Sequence, residues 1–402
     1  MILQGQDWLD AAATRRVMAA LEAAGGPDCA RFVGGCVRNA LVGQPVDDVD
    51  IATTLTPEQT DQAIRAAGLK AVPTGLAHGT VTAIADHRPF EITTLRRDVA
   101  TDGRNATVAF TDDWAEDAAR RDFRLNALYA DAEGRVLDPT GEGVADALAG
   151  RIVFVGDPGA RIREDYLRIL RFFRFFAWYG RGEPDPAGLA ACADLASGMT
   201  RLSAERVSKE LMKLLAAPDP GPALAAMDAA GVLGRILPEG ELTPAFAAMV
   251  WLSDDPVLRL MVLTPADAAV AVAASRRLRL PNRIRDRLAA AAGVEVDPSM
   301  TAAQVRAAVY RHGAQAVVDA LLRRSAERPD EAPALDGLRD IAEAWAPPRL
   351  PVGGRDLARL GVPPGPETGR LLKAFEADWI AADFPVDGHA GRLEALVRER
   401  RG

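Results

Sequence analysis

Residues 32–54, FVGGCVRNALVGQPVDDVDIATT, constrain this chain more than any other stretch. A short apolar run ends at Gly34-Gly35, Arg38 follows closely, and Asp47, Asp48 and Asp50 lead into a second apolar run. Paired glycines at a strand end let backbone amides approach an anion closely. Carboxylates at alternate positions suit a hard divalent cation. Together these features point to a metal-bound triphosphate. In a segment of strand character, Asp48 and Asp50 project to one face and Asp47 to the other. Two carboxylates on one face can bridge a pair of Mg2+ ions, which would activate a hydroxyl nucleophile and stabilise a pyrophosphate leaving group. A D-x-D pair alone is common by chance, and its place just after the glycines and Arg38 gives it meaning. Glu91, in the middle of RPFEITTLR, is a candidate third acid.

Around this stretch, from about residue 8 to 140, apolar or β-branched runs alternate with helical patterns. CARFVGG, DVDIATT, GTVTAIA, FEITTLR and LNALYAD read as strands, and WLDAAATRRVMAALEAAG and PEQTDQAIRAAG as helices. After Gly150 the β signal nearly vanishes, and helices follow one another between breakers such as PDPGP and APPRLPVGG. The expected class is α+β, with an α+β first part and an all-helical extension. At 402 residues the chain exceeds one ordinary domain. No stretch is long and apolar enough to span a bilayer, and the start lacks the pattern of a targeting segment, so the cytoplasm is the expected compartment. Cys29, Cys36 and Cys192 are an odd number without CxxC spacing, and read as reduced core thiols. A net charge of −8 speaks against a generic nucleic-acid binder and confines any RNA contact to local basic surfaces.

Two further stretches carry possible chemistry. RRDFRLNAL (120–128) sets Arg121 and Asp122 at the start of an apolar segment; Asp122 suits a helix cap, and an arginine there can reach phosphate or ribose. In REDYLRILRFFRFFAWYG (163–180), helical spacing places Asp165, Arg168, Arg171 and Arg174 along one drifting stripe. An acid three residues before an arginine is ordinarily a surface ion pair. A preset Asp–Arg pair can also read a base edge: the carboxylate accepts from an exocyclic amine while the guanidinium donates to the adjacent ring nitrogen. Such a pair accepts cytosine and adenine and rejects uracil and guanine. Arg171 and Arg174 could then hold triphosphate oxygens.

In order and spacing, Gly34-Gly35-x-x-Arg38, Asp48-x-Asp50, Arg120-Arg121-Asp122-Phe123 with Asn126-Ala127, and Glu164-Asp165-x-x-Arg168 resemble the class II tRNA nucleotidyltransferase and bacterial poly(A) polymerase family. TGLAHGTVTAI, TLRRDVATDGR and SAERVSKELMKLL are similar to it as well, so the likeness is dense from about 30 to 215 and thin beyond. The resemblance implies a polymerase-beta-type head over 1–140, a helical neck over 141–215, an RNA-binding helical body over 216–345 and a helical tail over 346–402. It implies Asp48 and Asp50 as metal ligands with Mg2+, Gly34, Gly35, Arg38, Arg121 and Asp122 as nucleotide contacts, and Asp165 and Arg168 as base readers assisted by Arg171 and Arg174. Asp98 to Arg104 matches a loop that helps the family switch from C to A addition, and His78 matches a turn residue. The implied partners are CTP, ATP and the acceptor stem and 3′ end of tRNA; the oligomeric state stays open. Two positions depart from the pattern: Asn39 stands where the family usually has Asp, and Arg124 where it usually has Thr. No His-Asp pair occurs, so no appended phosphohydrolase domain is expected.

The expected activity is template-independent completion of the tRNA 3′-terminal CCA. A poly(A) polymerase or an enzyme adding only CC or only A would share these motifs, but the basic C-terminal extension of the poly(A) enzymes is missing. A retired, non-catalytic RNA-binding protein should have lost a metal carboxylate or base reader, and all are present. An antibiotic-type nucleotidyltransferase would lack the Asp165/Arg168 segment. SRRLRLPNRIRDRL (275–288) holds the clearest arginine cluster for RNA phosphates outside the head and neck.

Overall fold

The computed structural model describes residues 1–75, 79–102 and 105–399. The chain folds as two compact units, Met1–Pro238 and the residues from Glu239 on.

The first unit holds a seven-stranded sheet of order β3-β4-β5-β2-β1-β8-β9. Its strands are β1 (Ala30–Val33), β2 (Asp50–Thr53), β3 (Lys70–Gly75), β4 (Thr80–Ala85), β5 (Arg88–Thr94), β8 (Tyr129–Ala130) and β9 (Val136–Leu137); β6 (Arg96–Asp102) and β7 (Asn105–Phe110) pair separately as a hairpin. Two pairings build the site. β1 runs antiparallel to β2 with Phe32 opposite Ile51, so the end of β1, where the chain turns at Gly34, lies beside the start of β2 at Asp50. β2 runs parallel to β5 with Asp50 opposite Glu91, so both acids occupy the same end of the sheet.

The expected strands are present, with differences that have local causes. Within LNALYAD only Tyr129–Ala130 is strand, because Arg124–Asn126 first forms a 3-10 turn. The N-terminal helix divides into Asp7–Asp10 and Ala12–Gly25 at Ala11, whose ψ of 136° is extended. The segment GCVRNALV continues from the glycines as a helix, Gly35–Val42. In β4, Val81, Ala83 and Ala85 alternate into the core, and the Ala12–Gly25 and Pro57–Ala66 helices pack against that strand. Thr56 and Gln59 close a capping box at the start of the second of these helices.

Every regular element after β9 is helical among the described residues. The chain is therefore a mixed sheet with helices followed by helices alone, which is the α+β class with a helical extension. Phe154, Phe172 and Phe175 gather around Phe123, with ring centroids 4.8 Å (Phe154) and 5.3 Å (Phe175) from Phe123. This aromatic core fixes the Leu167–Tyr179 helix against Phe123, which precedes β8, and Phe154, which follows β9. The expected single helix over 163–180 is broken: Pro158–Glu164 ends, Asp165 is extended at φ −152°, and Leu167–Tyr179 begins after it. Apolar cores of the second unit gather around Val305, Val317, Leu321 and Leu335 and around Leu357, Leu371, Phe375 and Trp379. No described helix is long and apolar enough to cross a membrane. His78 and Arg104 lie outside the described residues.

Candidate active site

A cavity of about 440 Å³ opens at the sheet end where β1 finishes and β2 starts. Gly34, Gly35, Arg38, Asp48, Asp50, Arg121, Asp122, Arg171 and Arg174 all border it. The structure thus gathers most of the expected site residues around one space. Asp165, Arg168 and Glu91 are not among the bordering residues. Asp47, expected to face away, does border the cavity. Residues 44–49 are outside any strand, so strict alternation does not govern them.

Gly34 adopts φ 69° and turns the chain from β1 into the Gly35–Val42 helix, a conformation that glycine takes without a Cβ penalty. Its carbonyl accepts from Arg38 N at 2.9 Å, and the first N–H groups of that helix, which a helix leaves unpaired, lie at the cavity wall.

On the acidic side, Asp50 is half-buried, and neither Asp48 nor Asp50 has a side-chain hydrogen bond or ion pair among the described residues. Burial, then Glu91, then Asp48 push the Asp50 carboxyl up to about 6, with Arg121 pulling the other way. Glu91 is exposed and stands beside Asp50 across the β2–β5 pairing. Among the described residues no three His, Cys, Asp or Glu side chains are gathered as a protein-only metal cage. Two hard oxygen donors without protein partners nevertheless fit a divalent cation that keeps water and phosphate oxygens as its other ligands. The electrostatic cost of ionising Asp50 is what such a cation would relieve.

On the basic side the arginines are braced. Arg121 donates to Asp117 (2.9 and 3.1 Å) and to the Tyr129 hydroxyl at 3.2 Å. Burial alone would raise the Asp117 carboxyl, yet Arg121, Arg120 and Tyr129 bring it down to about 2. Arg171 donates to Asp122 at 2.7 and 2.5 Å. Asp122 also accepts from Asn126 Nδ2 and from the Phe123 amide, and these contacts outweigh burial and hold it at about 2. Phe123 precedes the Arg124–Asn126 turn, which has no side-chain cap, so the helix cap expected of Asp122 is not formed and its carboxylate instead braces Arg171 and Asn126. Arg174 pairs with Glu210 at 2.5 Å. Lys213, exposed, adds a further cation at the rim, its ammonium lowered by burial and by Arg174. The guanidiniums of Arg38, Arg171 and Arg174 lie 5.2, 5.3 and 4.3 Å from the centroid of the Phe175 ring, so one aromatic ring is shared by three cations.

The direct Asp165–Arg168 pairing expected from helical spacing is not formed. Asp165 pairs with Arg206 at 2.6 Å and accepts from the Leu167 amide. Arg168 pairs with Glu164 at 2.5 Å and donates to the carbonyls of Arg161 and Arg120. The helix break at Asp165 separates their directions. In the second unit, much of the 275–288 arginine cluster is engaged: Arg277 with Glu239, Arg285 with Asp286, and Arg287 with Asp255 and Asp319. Arg276 and Arg283 have no ion pair among the described residues.

Asp117, Tyr179, Glu210 and Lys213 were not singled out by the sequence. Asp117 had a readable signal, since it lies three and four residues before the Arg120-Arg121 pair. Glu210 and Lys213 fall within SAERVSKELMKLL, whose distance from the Leu167–Tyr179 helix is bridged only by tertiary packing.

Comparison with known proteins gives the same direction. Residues 30–153 match the family described as the Poly A polymerase head domain, and 183–242 match the probable RNA and SrmB-binding site of polymerase A. The mitochondrial CCA tRNA nucleotidyltransferase 1 of Danio rerio is 33% identical over 376 residues, covering 89% of this chain and 84% of that protein. The CCA-adding enzyme of Lacticaseibacillus paracasei is 30% identical over 396 residues, covering 92% of each. The crystal structure of the Bacillus stearothermophilus CCA-adding enzyme in complex with CTP superposes with a TM-score of 0.75 at 25% identity, covering 96% of this chain and 97% of that one.

Proposed function

Because the chain belongs to the tRNA nucleotidyltransferase and poly(A) polymerase family, we propose that it adds CCA to the 3′ end of tRNA from CTP and ATP without a template, releasing pyrophosphate. The observation that carries the reading is one cavity with Asp48 and Asp50 at its acidic side and Arg38, Arg121, Arg171 and Arg174 around the rest.

In the proposed reaction the RNA 3′-oxygen attacks the α-phosphorus, a new phosphodiester forms, the α–β phosphoanhydride breaks and pyrophosphate leaves. Asp48 and Asp50 would hold Mg2+, and Glu91 would add negative charge beside them. The bound cation supplies Lewis-acid stabilisation of charge on the transferring phosphoryl group and eases deprotonation of the attacking hydroxyl. The amides at Gly34-Gly35, Arg38 and Arg121 bind triphosphate and ribose, and Arg171 and Arg174 neutralise the departing charge. Because Asp122, Glu210 and the Phe175 ring already fix the Arg171 and Arg174 guanidiniums, little reorganisation is needed as charge develops. Asp122 sets Arg171. Asp165 and Arg168 read the base edge; to do so they exchange contacts with Arg206 and Glu164 for contacts with cytosine or adenine.

Residues 1–140 act as the catalytic head and 141–215 as the neck, while the body (216–345) and tail (346–402) grip the acceptor stem, with Arg276 and Arg283 available for phosphate. The buried free thiols of Cys29, Cys36 and Cys192 suit a reducing compartment such as the cytoplasm.

The test is incorporation of labelled CTP and ATP onto tRNA transcripts lacking CCA, ending in C or ending in CC. Two C additions followed by one A, abolished in Asp50→Ala, is the expected outcome. A long A tail would make the protein a poly(A) polymerase, and no incorporation with Mg2+ would remove the catalytic reading.

A further inference from the structure

The arginines of the cavity are held in two ways. Arg121 leans on Asp117, Arg171 on Asp122 and Arg174 on Glu210. Arg38, only 8% exposed, has no ion pair with a carboxylate among the described residues. Burial pulls its guanidinium down from the ordinary value. Asn39 Oδ1 accepts from Nε and Nη2 at 3.2 and 2.9 Å, and Asn126 Oδ1 accepts from Nη1, so its amide partners are neutral.

Tyr179 meets the same guanidinium twice. Its hydroxyl accepts from Arg38 Nη2 at 2.8 Å and donates to Asn39 Oδ1 at 3.1 Å. Its ring centroid lies 4.2 Å from the guanidinium carbon, within the range of a cation–π contact. The ring is itself stacked on Phe175, with centroids 5.8 Å apart. Arg171, Phe175 and Tyr179 recur every four residues along the Leu167–Tyr179 helix, which places them on one face. Tyr179 thus ties a cation rooted in the Gly35–Val42 helix to the helix that carries Arg171 and Arg174.

We propose that Tyr179 is a positioning residue: with its hydroxyl and its ring it does for Arg38 what carboxylates do for the other three arginines, and so aims Arg38 at the triphosphate of the incoming nucleotide. The proposal rests on the nucleotidyltransferase reading. An aspartate at position 39, the usual residue of the family, would take Arg38 through charge-assisted hydrogen bonds, which are stronger than those to an amide. With asparagine there, Tyr179 makes up the difference. Loss of Tyr179 is therefore costly in this chain and slight once a carboxylate stands beside Arg38. If Tyr179 served packing alone, its loss would cost the same in either background.

The experiment is calorimetric titration of the full chain with inorganic tripolyphosphate, for wild type, Tyr179→Leu, Asn39→Asp and the double variant, with Tyr179→Phe as the conservative change. Tyr179→Leu is expected to weaken binding by about tenfold or more, and Tyr179→Phe, which keeps the ring, by about threefold. In the Asn39→Asp background, Tyr179→Leu should cost about twofold or less. The comparison is of ratios, so the effect of Asn39→Asp by itself cancels. An equal loss in both backgrounds, or a Tyr179→Leu affinity within about twofold of wild type, would overturn the proposal. So would a wild type or an Asn39→Asp variant that binds no tripolyphosphate. Should Tyr179→Leu not fold, Tyr179→Phe decides: a loss of about threefold confined to the Asn39 background supports the proposal, and a loss that is absent or equal in both backgrounds overturns it. Labelled CTP incorporation into tRNA by the wild type, run alongside, separates the two readings: its failure refutes the function and leaves the ratios of the tripolyphosphate affinities to decide on Tyr179.

Discussion

Replacing Asp50 with asparagine should abolish nucleotide addition and at the same time stabilise the metal-free protein. The folded environment raises the Asp50 carboxyl from the 3.8 of an ordinary aspartate to about 6, chiefly by burial and then by the charges of Glu91 and Asp48. That interval is worth about 3 kcal/mol against the ionised form, and solvent at a half-buried carboxylate reduces it to about 1–2 kcal/mol. Since the folded value lies above the unfolded one, the penalty is fully present above about pH 6 and is relieved as the pH falls towards 4. Asparagine, which carries no charge, escapes it at every pH. Urea unfolding in EDTA should therefore show Asp50→Asn more stable than wild type by about 1–2 kcal/mol near pH 7.5, with the difference shrinking to near zero by about pH 4. Adding Mg2+ should stabilise the wild type by mass action and leave the variant unmoved. A variant equal to or less stable than wild type near neutral pH, or a gap that does not close on acidification, would refute the reasoning.

Asp122→Asn should lower stability by about 2–4 kcal/mol in denaturant unfolding, because it leaves the Arg171 guanidinium without its carboxylate; the loss should vanish in acid, where the depressed Asp122 carboxyl protonates below its ordinary range. Phe175→Leu takes away the aromatic ring shared by three guanidiniums and should raise KM for both CTP and ATP by roughly threefold to thirtyfold, with the ratio between the two unchanged. Asp165→Asn should act differently, admitting UTP and GTP in single-nucleotide incorporation assays while tripolyphosphate still competes as in wild type.

The catalytic end of the sheet was largely legible in the sequence because its parts are close in the chain. Gly34-Gly35, Arg38, Asp48 and Asp50 span one strand, one turn and the start of the next strand, and the antiparallel β1–β2 pairing brings them together almost by necessity. The neighbourhood of Glu91 to Asp50 depended on the parallel β2–β5 register, which no local pattern reveals. The Asp165–Arg168 pairing was misread because helical spacing was carried across a residue that takes an extended conformation. Its true partner, Arg206, lies on a later helix that folds back on the neck, as does Glu210 beside Arg174. The edge strand β3, with Pro73 in it, lacked a clear strand signature, and proline is tolerated there because an edge leaves N–H positions unpaired.

The central claim is that one protein site adds C, C and A in order and then stops. Sequencing the 3′ ends made from a tRNA lacking CCA, with all four nucleoside triphosphates and Mg2+ present, tests it most directly. Ends that finish uniformly in CCA are the predicted result. Heterogeneous ends containing U or G, or adenylate runs without preceding C, would contradict it.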